Sequence, residues 1–152
     1  MREFFLTVGY SGLSPKAPGT VGSLVSLVLA MLLLHIISVE TLFMLSLLIS
    51  VIGAKQIDLY ELETNTHDSS KIVIDELAGM WITLSVAGVL ANDYVAAIIA
   101  FVFFRLFDIF KPSIIGKIDR DVPRGWGVMG DDMVAGIFAG LCTTLVFSGV
   151  TK

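Results

Sequence analysis

The sequence predicts an all-α protein: a polytopic helical bundle in a membrane, with residues 1–152 forming a single domain. Hydrophobic residues make up 55% of the chain and charged residues 16%, whereas a soluble domain carries about 25% charged residues. Four apolar runs are long enough to cross a bilayer, which takes roughly 17–25 residues. They are residues 21–38, 41–57, 94–110 and 133–150.

A fifth apolar run, residues 77–91, is shorter than the others. It reaches the length of a span only if its helix begins within the polar residues that precede it. Asp75 and Glu76 suit the first turn of a helix, because the helix dipole favours negative charge there. We therefore expect about five spans, preceded by an N-terminal re-entrant or interfacial segment.

The basic residues predict how these spans are oriented. Short connections at 39–40 and 92–93 alternate with long ones at 58–76 and 111–132, and nearly all Lys and Arg residues lie with the N-terminus and the long connections. Such a bias marks the cytoplasmic side, so only Lys152 is expected outside. The net charge of −4 argues against nucleic-acid binding, which needs a basic face.

A glycine-rich segment, residues 9–23, leads directly into the first span. Its glycines allow close approach to a ligand, and the helix that follows offers its N-terminus to an anion. We favour a phosphate cradle here over a plain turn with Ser/Thr caps. The candidate phosphate-binding residues in this segment are Ser14, Lys16, Thr20 and Ser23.

Five acidic residues are predicted to meet on the cytoplasmic face. Asp75 and Glu76 close the polar segment 68–76, Asp108 lies near the end of the run 94–110, and Asp131 and Asp132 follow a glycine-rich loop, residues 125–130. A single acid at a helix start is explained by the helix dipole. Five carboxylates close together would repel one another unless a cation held them, and Mg²⁺ prefers carboxylate oxygens. The pattern therefore predicts a metal site.

Arg105, Asp108 and Lys111 are spaced by three and share one helical stripe. One interpretation is a structural Arg105–Asp108 ion pair, with Lys111 reaching to the headgroups. The other is a functional site in which Arg105 and Lys111 bind phosphate. We favour the second, because ionisable residues inside a span mark functional sites and the dipole disfavours an acid near the C-terminal end of a helix.

The remaining aromatic and histidine residues carry weaker signals. Trp81 and Trp126 are predicted to anchor the membrane interface. His67 lies in a polar segment and is expected to be solvated, although a role as a general acid or base remains open. His35 lies near the outer end of the first span, far from the acids, and is expected to be structural.

Four motifs, in this order, resemble the phosphatidylglycerophosphatase A family from about residue 8 to about residue 140. They are Gly12-Leu-Ser-Pro-x-Ala-Pro-Gly-Thr-x-Gly-Ser23, Ile74-Asp75-Glu76-x-x-Gly79-Met-Trp-Ile-Thr83, Phe104-Arg105-x-Phe-Asp108-x-x-Lys111-Pro112 and Gly127-x-Met-x-Asp131-Asp132. Tyr10 and the pair Ser69-Ser70 depart from the family pattern in loop positions.

The resemblance implies a Mg²⁺-dependent enzyme of the bacterial inner membrane that removes the terminal phosphate of phosphatidylglycerophosphate to give phosphatidylglycerol. It also implies that the acids of the matching motifs form the metal and catalytic set: Asp75, Glu76, Asp108, Asp131 and Asp132. The orientation predicted from the basic residues places this site on the cytoplasmic face, and the composition predicts that the lipid bilayer surrounds the spans. The base and the number of metal ions are left open.

Two other functions remain open. One is a phosphatase for a different lipid phosphate. The other is a small ion or proton transporter that uses Arg105 and Asp108 as a relay, which predicts ionisable residues at the membrane midplane and acids on both faces. The middle of each run is apolar, and the outer side carries only Glu40 and Asp93, so the enzyme is the stronger hypothesis.

Overall fold

The computed structural model describes residues 1–66, 69–112, 114–123 and 125–150. His67 and Asp68 therefore lie outside the described residues, as do Arg124 and Lys152. Within the described residues the chain is all-α, as predicted. The helices are α1 (Arg2–Leu6), a 3-10 helix (Ser11–Leu13), α2 (Pro18–Leu33), α3 (Val39–Thr64), α4 (Ile74–Val86), α5 (Tyr94–Phe110), α6 (Ile114–Asp121) and α7 (Gly125–Val150).

Helix α4 lies at the centre of the bundle. It contacts α2, α3, α5 and α7, and nearly all of its side chains up to Leu84 are buried. It begins at Ile74 with Asp75 and Glu76 in its first turn, which confirms the predicted start within polar residues. At a rise of 1.5 Å per residue it is about 20 Å long, which is shorter than the bilayer core of about 30 Å.

The crossing of α4 and α7 is built on glycine. A Cβ added to Gly136 would lie 2.5 Å from the carbonyl oxygen of Gly79, and one added to Gly79 would lie 2.7 Å from the carbonyl oxygen of Asp132. A Cβ at Gly140 would lie 2.7 Å from Val86 Cβ. Small residues at a helix crossing let two backbones approach closely. Here they bring the first turn of α4 beside the acids of α7.

Two described helical segments are long and apolar enough to cross a membrane, Val39–Thr64 and Gly125–Phe147. Helix α2 is apolar but has 16 residues, and α5 has 17 residues, with the same bounds as the predicted run 94–110. Length and composition therefore support membrane crossing for α3 and α7, and the expectation of about five spans is not confirmed by this criterion.

All four predicted connections are wrong in extent. The one predicted at 92–93 covers residues 87–93, because α4 ends at Val86. Helix α3 continues to Thr64, so only the second part of 58–76 connects it to α4. Its final residues are polar but form helix readily, and hydropathy alone could not detect them. The segment 111–132 contains α6 and the start of α7, and the first connection is residues 34–38, because Val39 and Glu40 already belong to α3.

The glycine-rich segment 125–130 is helical, which corrects the prediction of a loop before Asp131. Its glycines are sites of close packing: a Cβ at Gly125 would overlap the carbonyl oxygen of Ala54, and one at Gly127 would overlap that of Val122. The small size of glycine, rather than its backbone flexibility, explains why glycine occupies these two positions.

Trp81 was predicted to anchor the interface, and this prediction is wrong. The residue is 6% exposed, and its indole Nε1 donates a hydrogen bond of 2.9 Å to the carbonyl oxygen of Ser26. Trp81 therefore joins α4 to α2 inside the bundle. Trp126 is exposed, so its predicted position at an interface remains a prediction.

Substituting Gly136 tests the crossing of α4 and α7. Gly136→Ala is expected to lower the unfolding free energy by about 1–3 kcal/mol, because the added methyl group forces two backbones apart. Gly130→Ala is the matched control in the same helix, since a Cβ there would meet a single side-chain methyl group among the described residues, Ile118 Cγ2 at 3.1 Å, and no backbone of another helix. Thermal unfolding in detergent should show a lower Tm for the first variant alone. Equal Tm values for the two variants would contradict the packing argument.

Candidate active site

The predicted acids meet where three helices begin or end. The first turn of α4 contributes Asp75 and Glu76, and the last turn of α5 contributes Asp108. Asp131 and Asp132 lie in the second turn of α7. The first turns of α2 close the site from a fourth direction. The sequence prediction that these acids share one end of the bundle therefore agrees with the structure.

Arg105 is the hub of this cluster. Its Nη1 lies 2.6 Å from Glu76 Oε2 and 2.6 Å from Asp108 Oδ2. The same nitrogen lies 3.1 Å from Ser23 Oγ. The Arg105–Asp108 pair considered from the sequence therefore exists, but it is part of a wider network. Arg105 joins α5 to both α4 and α2, which a local pair between residues three apart would not do.

Glu76 is held from two sides by α2. The residue is 7% exposed, and Ser23 Oγ lies 2.6 Å from its Oε2 and 2.8 Å from the carbonyl oxygen of Gly19. A Cβ added at Gly19 would overlap Glu76 Oε1. Gly19 is therefore needed for its small size beside the carboxylate. Sequence reasoning assigned Ser23 to phosphate and did not foresee that its hydroxyl binds Glu76.

Three of the acids have the geometry of a cation site. Glu76, Asp108 and Asp132 each offer a carboxylate oxygen, and these atoms lie within 4.8 Å of one another. Oxygens bound to one Mg²⁺ lie up to about 4 Å apart, so small side-chain movements suffice. Asp132 is 3% exposed, and its Oδ2 is buried with no hydrogen-bond partner among the described residues. An orphaned buried carboxylate oxygen is costly, and a cation would satisfy it.

Asp75 borders this group of three acids. Its carboxylate lies within electrostatic range of Glu76, Asp108 and Asp131. Its Oδ1 is also buried without a hydrogen-bond partner among the described residues. Asp75 therefore adds negative charge next to the cation site, although the carboxylate oxygens that converge are those of the other three acids.

Asp131 has a different partner. Its Oδ2 lies 2.7 Å from Lys111 Nζ, and its Oδ1 accepts a hydrogen bond of 3.0 Å from the backbone N–H of Asp132. The paired acids of α7 therefore point to different neighbours, one toward a lysine and the other toward the cation site. Lys111, predicted to bind phosphate, forms this ion pair at the end of α5.

The formal charge of the cluster is strongly negative. Among the residues that the structure describes, five carboxylates stand against the two cationic groups Arg105 and Lys111, which leaves these seven groups with a formal charge of −3. Concentrating like charge in a buried site is unfavourable unless it is compensated. A bound divalent cation would reduce the formal charge to −1, so the donor set fits such an ion.

The remaining predicted phosphate-binding residues lie at or before the start of α2. Ser14 Oγ donates to the carbonyl oxygen of Lys16, and Lys16 is exposed. Thr20 is half-buried in the first turn. The N-cap residue of α2 is Ala17, which makes no side-chain cap hydrogen bond. No Ser or Thr side chain caps the start of α2, so that part of the plain-turn alternative is wrong, and the phosphate cradle stays a prediction that the open helix N-terminus permits.

One acid that supports the site was not foreseen from the sequence. Asp58 Oδ1, on α3, accepts a hydrogen bond of 2.9 Å from the backbone N–H of Gly125. It thereby satisfies one of the free N–H groups at the start of α7. The helix that carries Asp131 and Asp132 is thus fixed to α3 at its first residue. An isolated acid in a helix gives no sequence signal of this role.

Comparisons with known proteins agree with this geometry. The family model described as phosphatidylglycerophosphatase A matches residues 4–147. Phosphatidylglycerophosphatase A of Haemophilus influenzae is 36% identical over 135 residues, which cover 88% of this chain and 82% of the relative. The Escherichia coli protein of the same name is 38% identical over 136 residues, covering 88% of this chain and 77% of that protein.

A third relative carries a different name. A protein of Bacteroides thetaiotaomicron, provisionally named phosphatidylinositol-3-phosphatase, is 36% identical over 135 residues, covering 85% of this chain and 82% of the relative. No solved structure matches the chain. The family model covers nearly the whole length, and its match includes every acid of the cluster. The chain belongs to the phosphatidylglycerophosphatase A family.

Proposed function

We propose that this protein hydrolyses the terminal phosphate monoester of phosphatidylglycerophosphate to give phosphatidylglycerol, in a Mg²⁺-dependent reaction at the cytoplasmic face of a bacterial inner membrane. The observation that carries this proposal is the convergence of Glu76, Asp108 and Asp132 beside Arg105 and the N-terminus of α2. Two relatives named for this activity support the choice of substrate.

Glu76, Asp108 and Asp132 would hold the Mg²⁺ ion, with Asp75 and Asp131 as neighbouring acids. When bound, the ion would neutralise the phosphoryl oxygens and make a water molecule more acidic. Ser23 would fix the carboxylate of Glu76, since its hydroxyl lies 2.6 Å from Oε2 and is itself buried. A carboxylate that is already held in position loses less conformational freedom when the ion binds to it.

Arg105 would bind the phosphate of the substrate. Its planar guanidinium can donate two parallel hydrogen bonds to phosphate oxygens. Its Nε is buried without a hydrogen-bond partner among the described residues, so the group has donor capacity left. The N–H groups of the first turn of α2, with Thr20, would face the same phosphate. Ser14, Lys16 and Lys111 would complete the positive surroundings of the headgroup.

The proposed topology has five crossings, formed by α2, α3, the α4 segment, α5 and α7. With the N-terminus in the cytoplasm, α2, α4 and α7 begin on the cytoplasmic side and α5 ends there. These are the helix ends that meet at the site. Helix α4 is short for a span, but it is enclosed by the other helices, and irregular backbone at membrane depth is tolerated when protein buries it.

Two alternatives differ from this proposal. The Bacteroides relative favours a phosphatase for another lipid phosphate, because the metal and phosphate groups of the site do not depend on the rest of the headgroup. A transporter is disfavoured, because the buried acids Glu76, Asp131 and Asp132 all lie at one end of the bundle rather than along a path across it.

Phosphate release by the purified protein tests the proposed function. Phosphatidylglycerophosphate and phosphatidylinositol-3-phosphate are compared in the same micelles, with Mg²⁺ and with a chelator. We expect Mg²⁺-dependent release that is faster from phosphatidylglycerophosphate. Preference for the inositol lipid would favour the first alternative, and release that persists in chelator would remove the metal from the proposal.

Asp132→Asn tests the metal site. Phosphate release should fall at least about a hundredfold, because the variant is expected to lose Mg²⁺, and the positive charge of the ion stabilises the transition state. Without Mg²⁺ the variant should unfold at the same or a higher temperature than the wild type, because the substitution removes one of the carboxylates that repel one another. Addition of Mg²⁺ should no longer raise the Tm of the variant. Asp121→Asn, at an exposed position on α6, is the control and should behave as the wild type. A Mg²⁺-dependent Tm increase in Asp132→Asn would exclude Asp132 as a ligand.

Arg105 is tested by a substitution and by a charge swap. Arg105→Lys should lower kcat/KM by about a hundredfold while leaving Tm near the wild-type value, because lysine keeps the charge but not the planar fork. The double variant Arg105→Asp with Asp108→Arg keeps the attraction between the two residues. It should recover stability relative to either single change but not phosphate release. Recovery of activity in the double variant would show that Arg105 and Asp108 form only a structural ion pair and contact neither the metal nor the substrate.

A further inference from the structure

A lysine ammonium binds one of the five acids of the cluster. Lys111 Nζ lies 2.7 Å from Asp131 Oδ2, and the other carboxylate oxygen of Asp131, Oδ1, accepts a hydrogen bond of 3.0 Å from the backbone N–H of Asp132. The side chain of Asp131 is 5% exposed, whereas that of Lys111 is 33% exposed. The lysine therefore reaches in from the surface, and the protein itself provides a partner for each oxygen of Asp131.

The backbone of Lys111 is fixed where α5 ends and α6 begins. Its φ of 41° lies in the left-handed region, which a residue other than glycine adopts at a cost in free energy. Its N–H donates a hydrogen bond of 2.9 Å to the carbonyl oxygen of Phe107, and a Cβ added to Gly116 of α6 would lie 2.8 Å from the carbonyl oxygen of Lys111. The ammonium thus extends from a constrained point, unlike that of a loose surface ion pair.

Asp132 and Asp75 differ from Asp131 in their partners. Oδ2 of Asp132 and Oδ1 of Asp75 are buried with no hydrogen-bond partner among the described residues. Asp132 belongs with Glu76 and Asp108 to the three acids whose oxygens converge, and Asp131 does not. The two neighbouring acids of α7 therefore have opposite needs, since Asp132 would gain from a cation and Asp131 already has one.

A second divalent ion would need carboxylates outside the group of three. The two ions of a two-metal phosphatase site lie about 3.5–4 Å apart. Among the described residues, the further acids in electrostatic range of Asp132 are Asp75 and Asp131. Lys111 already binds Asp131, and its ammonium would repel another cation at such a short distance.

We propose that Lys111 is a built-in cation that takes the place of a second metal ion, so that the cluster binds one divalent cation between Glu76, Asp108 and Asp132. The inference rests on the proposed function and specifies how many metal ions its site takes. One divalent ion brings the five acids, Arg105 and Lys111 to a formal charge of −1. Without the charge of Lys111, two divalent ions would be needed to neutralise the site.

Binding of Mn²⁺ to the purified protein in detergent, without substrate, tests this proposal. Mn²⁺ binds the same oxygen ligands as Mg²⁺, and electron paramagnetic resonance counts the ions bound per chain. Lys111→Met removes the ammonium and Lys111→Arg keeps the charge, while Lys117→Met is the matched control at an exposed position on α6. The double variant Lys111→Met with Asp131→Asn removes both charges of the ion pair together.

The wild type, Lys111→Arg and Lys117→Met should each bind one Mn²⁺ per chain. Lys111→Met should bind two, because Asp131 becomes available as a ligand. The double variant should bind one, with an affinity within about threefold of the wild type, since the two charges removed are opposite and adjacent. One ion in Lys111→Met, or loss of binding in the double variant, would overturn the proposal. If Lys111→Met does not fold, the double variant decides alone.

The wild-type result separates this proposal from the proposed function. Two Mn²⁺ ions bound to the wild type, together with Mg²⁺-dependent phosphate release, would overturn the role of Lys111 and leave the proposed function standing. No Mn²⁺ bound to the wild type would overturn both the metal site of the proposed function and the role of Lys111.

Discussion

The close contact between α4 and α7 is the constraint on which the rest of the structure depends. Gly79 and Gly136 let the two backbones touch, so that a methyl group on either residue would overlap the other helix. The contact places the first turn of α4 beside the second turn of α7, and Glu76 thereby meets Asp132. Helices α2 and α5 then pack around α4 and add Ser23, Arg105 and Asp108 to the same place.

The site gathers charge that a fold selected only for stability would avoid. Asp108 lies at the end of α5, where the helix dipole disfavours an acid, and its ion pair with Arg105 compensates only part of that cost. Buried oxygens of Asp75 and Asp132 have no hydrogen-bond partner among the described residues. Local violations of this kind concentrate at functional sites. A cation and a phosphate would together supply the missing partners, which explains why the arrangement persists.

Sequence patterns predicted the parts of the fold that depend on composition and periodicity. The apolar run 94–110 has the bounds of α5. The meeting of the acids at one end of the bundle could also be predicted, because each acid lies near a helix end and successive helices run in opposite directions. The pairing of side chains between different helices could not be predicted, because it depends on how the helices are rotated against one another. Lys111 therefore binds Asp131, Trp81 is buried against Ser26, and Asp58 fixes the start of α7. The prediction of a loop at 125–130 is wrong because a glycine needed for close packing and a glycine in a turn look alike in a sequence.

Binding of Mn²⁺ measured by electron paramagnetic resonance tests most directly whether this crossing builds a metal site, because bound Mn²⁺ loses the sharp signal of the free ion. The account predicts that the wild-type protein binds Mn²⁺, that Mg²⁺ displaces it, and that Glu76→Gln and Asp108→Asn each weaken binding strongly while the protein stays folded. Equal Mn²⁺ affinity in the wild type and in both variants, or no binding by the wild type, would contradict it.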